Sequence, residues 1–237
     1  LADAVANNER ALTGLADHLD PEAIDYVNIR NLRALLMVSV RRGRAAIEAA
    51  ERGQAANTKL LGATHPQTLV NRAVAALGHG YDGRTEPARR QMAAVVDDMR
   101  TTGTAVPAVL LMAGRLSALA GARAEAARQL DEAAAAAGTA PAAARLVAQI
   151  SMERALLVQS ADAAVAAIDA ALAGLDTLYP VPTPWQADGH LALARLLHAN
   201  GRGHDAETHA QTAAEVWRTL NPESRWLAEA ERLARRQ

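Results

Sequence analysis

In HPQTLVNRAVAAL, residues 65–77, the apolar side chains fall at Leu69, Val70, Ala73, Val74 and Leu77. Steps of three and four place them along one stripe of a helix, whereas a half-buried strand alternates every second residue. No segment of the chain alternates in that way. The helical pattern stops and restarts along the length. It predicts a partial helix over 2–18, then helix pairs over 22–41 and 44–61, 66–79 and 84–101, 105–119 and 122–137, 141–159 and 162–178, and 184–199 and 203–220, with a last helix over 222–236.

The breaks resemble one another. RGRAAIEA (42–49), DGRTEPAR (82–89), AGARAEAA (120–127) and NGRGHDAE (200–207) each set a glycine between two helical patterns. These turn glycines, Gly43, Gly83, Gly121 and Gly201, are spaced by 40, 38 and 80 residues. The double gap implies a fifth corner near 161, where SADAAVAA (160–167) fits with Ala161 in place of glycine. Prolines give a second count: Pro21, Pro66, Pro107, Pro141, Pro184 and Pro222 each precede a helical pattern, and proline is tolerated in a helix's first turn. Asp20, Thr183 and Asn221 stand directly before three of them as N-caps. Units recurring about every 40 residues indicate a helical array.

One corner imitates a different motif. GHGYDG (78–83) is spelled like a G-x-G-x-x-G dinucleotide fingerprint, with Asp98 about twenty residues on. That fingerprint needs a strand before its glycines. Here a helical pattern runs in, so the glycines are expected to turn a corner between helices.

Composition supports this reading. Half of the 237 residues are hydrophobic, much of that alanine, with no Phe, three Trp and three Tyr. Alanine is the best helix former and suits close helix packing. A net charge of −1 lacks the basic footprint of a nucleic-acid binder. Without cysteine there is no disulfide or thiolate chemistry, which fits a cytoplasmic setting. The most apolar stretch, AVPAVLLMAGRLSALAG (105–121), is interrupted by Arg115, so no membrane span is expected. A chain opening on Leu1 is expected to be part of something longer.

The stretch LGATHPQTLVNRAVAALGHGYDGRTEPA (61–88) resembles the lengthened tetratricopeptide repeats of kinesin light chain and many bacterial relatives, L-G-x-x-H-P-x-T-L-x-x-R-N-N-L-A followed by G-R-x-x-E-A. The alanine five residues past the turn recurs as Ala88, Ala126, Ala166 and Ala206; in the first unit Glu48 holds that place and Ala49 follows. The resemblance covers 22–220. It implies an all-α fold, a right-handed α-solenoid of about five helix pairs with a leading half-repeat (1–18) and a C-terminal capping helix, forming a single domain over 1–237. The small residue is implied to lie where the two helices of a unit cross. The family's paired Asn on the first helix, which in relatives grip a peptide backbone, are Ala73 and Val74 here. The stretches ARLLHANGRGHDAETHAQTAAEVW and WLAEAERLARR also look like the C-terminal repeat region of some bacterial serine/threonine protein kinases. The chain itself has no V-A-I-K lysine, H-R-D loop or D-F-G. A kinase setting would make it an accessory part.

Candidate chemistry is sparse. His204 and His209 are five apart, unlike H-E-x-x-H, and His190 and His198 need a third ligand from elsewhere, so no metal is expected. His65 suits the helix entry before Pro66. Ser39, Ser117 and Ser151 have no His at a useful spacing, and Asp97-Asp98 point about 100° apart on a helix. No catalytic constellation or cofactor site emerges. Arg115, Arg154 and Arg195 instead recur in three successive first helices, 39 and 41 residues apart. By the family's geometry first helices line the concave surface, where stacked guanidiniums would meet acidic groups of an extended peptide. The alternative is local pairing, for example with Glu153 or Asp188, the stems lying over alanines.

At the C-terminal end, Trp226, Leu227, Ala230, Leu233 and Ala234 share one face of 222–236, with Glu223, Glu229, Glu231, Arg232, Arg235 and Arg236 over the rest: a capping helix, with Trp217 near Trp226. Residues 2–18 look like a second helix without its partner, whose apolar face would contact a linked domain or a second copy. The expectation is a non-enzymatic scaffold that binds an acidic protein or peptide or regulates a linked catalytic domain. A homo-oligomerisation module and a ligand-sensing domain of a transcription regulator are the alternatives.

Overall fold

The computed structural model describes residues 1–15, 18 and 23–235. The expected opener Pro21 and N-cap Asp20, the ends of the helices expected over 2–18 and from 22, and Arg236 lie outside the described residues. Among the described residues the chain is all helix, with no strand: α1 (Ala2–Leu15), α2 (Ile24–Ser39), α3 (Gly43–Leu61), α4 (Pro66–Tyr81), α5 (Thr85–Thr101), α6 (Pro107–Leu119), α7 (Arg123–Ala137), a 3-10 turn (Pro141–Ala143), α8 (Ala144–Ala155), α9 (Ala161–Leu178), α10 (Pro184–Ala199), α11 (Gly203–Leu220) and α12 (Arg225–Ala234). The contacts fall into two units, Leu1–Ala136 and Ala137–Gln237.

Three corners close in one way, and so does a fourth whose residue differs from expectation. After each first helix the chain reverses through a residue of positive φ, at Gly83 (87°), Gly121 (77°) and Gly201 (74°), but the first corner uses Arg41 (58°). Gly43 is instead the first residue of α3. In every case the N–H one residue past the corner donates back to a carbonyl five residues earlier: Arg42 to Met37, Arg84 to His79, Ala122 to Ser117 and Arg202 to Leu197, all at 2.9 Å. This closure satisfies carbonyls that the helix end leaves open and requires the left-handed conformation. Moving the corner to Arg41 also corrects the small-residue register. Ala46, five residues on, is fully buried like Ala88 and Ala126, whereas Glu48 is exposed.

The corner without a glycine is built differently. No residue between 156 and 160 has positive φ, and α8 stops at Ala155 rather than at the expected 159. Leu157 and Val158 donate to the Arg154 and Ala155 carbonyls three residues back, which tightens the end of the helix. The crossing alanine is accordingly Ala164, which is buried, while Ala166 is exposed.

In the first unit α2 packs on α1, α3 and α4, and α4 on α3, α5 and α6. Glycine permits the close approach. A Cβ on Gly78 would sit 3.0 Å from Ile47 Cγ1 and 3.1 Å from the Gly43 carbonyl, and one on Gly80 would run into Leu116 Cδ1. The first two glycines of GHGYDG are therefore packing positions inside α4, and only Gly83 makes the turn. In the second unit α8, α9 and α10 enclose Met152, Ile168, Leu172, Leu175, Leu193 and Leu197. There α12 packs on α10 and α11, with Trp217 and Trp226 stacked at 5.8 Å between ring centroids.

Helix starts follow local chemistry. His65 caps α4, its Nδ1 accepting from Gln67 N–H at 3.3 Å. At α10 the Gln186 Oε1 accepts from Thr183 N–H at 2.7 Å. Asn221, expected as a cap, ends α11 instead. Ser224 caps α12, its Oγ accepting from Leu227 N–H at 3.1 Å. Among the described residues no helix is long and apolar enough to cross a membrane.

Candidate functional site

Arg115 lies in α6, half-buried, with its guanidinium carbon 5.7 Å from the centroid of the Tyr81 ring at the end of α4. Arg41, following α2, lies 5.8 Å from the same centroid and is only 4% exposed. Three consecutive first helices of this unit thus converge on one phenol ring. A cation over an aromatic face gains about 0.5–2 kcal/mol, more as water is excluded, so the ring draws both guanidiniums to it. Of the two, Arg115 is the more accessible and Arg41 is buried.

In the second unit Arg154 is exposed, in the last turn of α8. Its position there follows from the early end of that helix. Arg195, in α10, is also exposed; its Nε and Nη2 donate to the two carboxylate oxygens of Glu229 in α12, at 2.7 and 2.6 Å. Those hydrogen bonds hold the Glu229 carboxyl below its ordinary pKa. The carboxylate that meets Arg195 thus comes from the capping helix. Glu153 and Asp188, the partners suggested by sequence, are buried.

A second group in the first unit leaves no local sign in the sequence. Between α1, α2 and α3 runs a cleft of about 690 Å³ lined by Glu9, Tyr26, Arg30, Arg33, Glu48 and Arg52 among others. Arg33 meets Glu9 at 3.4 Å and Arg52 meets Glu48 at 2.6 Å, while Arg30 stacks 4.4 Å over the buried Tyr26 ring. The apolar exposure expected on 2–18 is found on α2 instead, at Ile24 (51%), Leu32 (49%) and Leu35 (37%). The large apolar side chains of α1 are at least partly covered, because they form its contact with α2.

Of the histidines, the structure brings together two that sequence does not pair. His190 of α10 and His209 of α11 face each other with Nδ1 atoms 2.9 Å apart. They are nineteen residues apart in sequence, so only the folding of the hairpin makes them neighbours. Among the described residues no cluster of three metal-ligating side chains forms. The serines donate away from any base: Ser39 to the Leu35 carbonyl, Ser151 to the Val147 carbonyl, and the buried Ser117 to Gln129 Oε1 at 2.8 Å. Asp98 accepts from Arg72 at 2.6 Å.

Comparison with solved structures places this architecture. A Rap protein complexed with Competence and Sporulation Factor aligns at a TM-score of 0.56 with 15% identity, over 97% of this chain and 67% of that one. The fold is a tetratricopeptide-like helical repeat. A kinesin light chain from Podosopora anserina, with nearly identical TPR-like repeats, aligns at 18% identity and a TM-score of 0.46, over 87% of this chain and all of that one. No family model matches the sequence, and no curated protein matches it. A likeness at this level of identity reports the fold alone.

Proposed function

We propose that this chain is a non-enzymatic interaction module that binds an acidic protein or peptide, with Arg115, Arg154 and Arg195 among its contacts. The observation that carries the reading is Arg115 held against Tyr81 with Arg41 beside it. A guanidinium already fixed in place loses little side-chain freedom on meeting a carboxylate, and guanidinium binds carboxylate bidentately. Glu229 already presents a carboxylate to Arg195 in that bidentate form, which is the chemistry an acidic partner would use. The complex of the Rap protein with Competence and Sporulation Factor supports a protein or peptide partner for such repeats. The resemblance of residues 194–236 to kinase repeat regions supports a setting beside a bacterial, cytoplasmic serine/threonine kinase domain.

The test uses arrayed acidic, neutral and basic twelve-residue peptides against the full chain. Acidic sequences are expected to bind, and the triple variant Arg115→Ala, Arg154→Ala, Arg195→Ala is expected to bind them at least tenfold more weakly (tenfold is about 1.4 kcal/mol), measured well below a melting temperature that drops by a few degrees as the Arg115–Tyr81 and Arg195–Glu229 contacts are lost. Glu229→Gln, which releases Arg195, is expected to strengthen binding. Equal binding by wild type and triple variant overturns the reading.

The exposed apolar stripe of α2, Ile24, Leu32 and Leu35, favours a second reading, self-association through that edge. Light scattering across a concentration series distinguishes the two, since a monomer that binds acidic peptides leaves only the first.

A further inference from the structure

The His190–His209 pair sits where the hairpin of α10 and α11 is packed by alanine. Ala187 and Ala194 on one helix and Ala206, Ala210 and Ala213 on the other are buried. The two imidazoles lie side by side, centroids 5.2 Å apart and planes 28° from parallel, with the Nδ1 atoms facing at 2.9 Å. A contact that short between two ring nitrogens needs a hydrogen on one and a lone pair on the other.

Counting protons on the pair defines which states this geometry accepts. With both rings neutral, one carries its hydrogen on Nδ1 and donates, and the other carries it on Nε2 and accepts. A first added proton goes to the bare Nε2 of the donor ring, and the bond becomes charge-assisted. A second added proton has only the accepting Nδ1 left to take. It replaces the lone pair with an N–H, so two N–H groups and two positive charges now face each other. We propose that the His190–His209 pair is a proton-operated latch that holds α10 against α11 with at most one added proton and opens the hairpin when the second arrives.

The surroundings favour this behaviour. Burial and the neighbouring His209 charge push the His190 pKa below the ordinary value of 6.5, and Asp176 and Asp169 of α9 pull the other way with less effect. Asp176 is itself engaged by Gln186 Nε2. From α12, which packs on both helices, Glu229 is held by Arg195 and Arg232, and Glu231 by Arg218 and Arg235, while Arg225 lies over the Trp226 ring. From α8, Glu153 is buried and Arg154 exposed. On α11 itself Asp205 is paired with Arg202. The pair is within reach of solvent protons, because His209 lines an open cavity of about 280 Å³ together with Asp169, His204 and Thr208.

The direction of the pH effect follows from the lowered pKa. Below about pH 6.5 the unfolded chain binds more protons than the folded hairpin, so stability falls with pH until the folded pair is protonated too. For each proton in deficit the folding equilibrium constant drops about tenfold per pH unit in that window. Opening α10 from α11 also loosens α12, and the Trp217–Trp226 stack reports it.

The experiment follows thermal unfolding and tryptophan fluorescence of the full chain from pH 8 to 5, for wild type, His209→Asn, and the double variant His190→Asn, His209→Asn. Asparagine keeps a hydrogen-bonding amide where Nδ1 stood and does not titrate. Wild type is expected to lose stability between pH 7 and 5 more steeply than either variant. If wild type and His209→Asn show the same pH dependence, the latch is refuted. Should the variants fail to fold, histidine NMR titration of wild type decides: two well-separated steps for the pair support the latch, and two coincident titrations near the ordinary histidine value overturn it.

Discussion

Asn71 of α4 donates from Nδ2 to Oδ1 of Asn31 in α2 at 2.7 Å, across forty residues of sequence. Asn31 in turn reaches Asn57 of α3 at 3.5 Å, and Asn57 and Asn71 are almost wholly buried. Gly53 makes room for them, since a Cβ there would collide with both the Asn31 and Asn71 amides. Three helices of two successive repeats are thus bolted by carboxamides within a core that also buries Val27, Met37, Leu69 and Val74. A buried polar group left without its partner costs about 1–3 kcal/mol. Asn71→Ala is expected to destabilise by that amount in urea unfolding. Because the two side chains act as a unit, Asn31→Ala with Asn71→Ala is expected to cost clearly less than the sum of the single changes.

The glycines inside helices divide by what surrounds them. A Cβ on Gly114 would lie 2.7 Å from Leu130 Cγ, whereas one on Gly174 meets nothing within 4 Å. Gly114→Ala is expected to destabilise by roughly 1–3 kcal/mol through overpacking. Gly174→Ala, in the interior of α9, is expected to stabilise by about 0.5–1 kcal/mol by removing backbone freedom from the unfolded chain. Opposite shifts of the urea midpoint are the measurement.

Arg41 holds a left-handed conformation that the equivalent residues of three other corners meet with glycine. A side chain costs about 1–2 kcal/mol there, which contact with Tyr81 offsets. Removing that contact without removing the strain is therefore the harsher change. Arg41→Ala is expected to melt several degrees below Arg41→Gly, read by circular dichroism.

The Arg195–Glu229 pair is exposed, so its worth is small, up to about 1 kcal/mol. Its sign is definite. The Glu229 carboxyl is held below its ordinary value of 4.5, so the stabilisation is present above that pH and lost as pH falls through the lowered value. Glu229→Gln is therefore expected to cost that small amount at pH 7 and to melt like wild type at a pH below the lowered value, which removes the acid-dependent part of the difference.

Much of the architecture is legible in sequence because corner glycines, first-turn prolines and apolar stripes act locally. Gly83, Gly121 and Gly201 are readable since left-handed backbone nearly always demands glycine. Arg41 is not, because an arginine carries no local sign that it will adopt that conformation, and Gly43 two residues on draws the corner to itself. The helix expected over 141–159 is too long for a related reason: without a glycine near 159, the chain closes α8 early with tight turns. Of the candidate contacts, the positions of Arg115, Arg154 and Arg195 can be read from their period, but their companions cannot. Tyr81 comes to Arg115 from a neighbouring helix, and Glu229 comes to Arg195 from 34 residues away.

By itself, then, the amino-acid order determined that this protein is helical, where most helices begin and end, and that they recur about every forty residues. These depend on spacing along the chain and on backbone conformations of single residues. Tertiary structure alone decided which polar groups meet: Asn31 with Asn71, Arg41 and Arg115 with Tyr81, His190 with His209. Each pair joins separate helices. Whether two such side chains touch depends on how the helices slide and rotate as their small residues pack, a balance that no local pattern records.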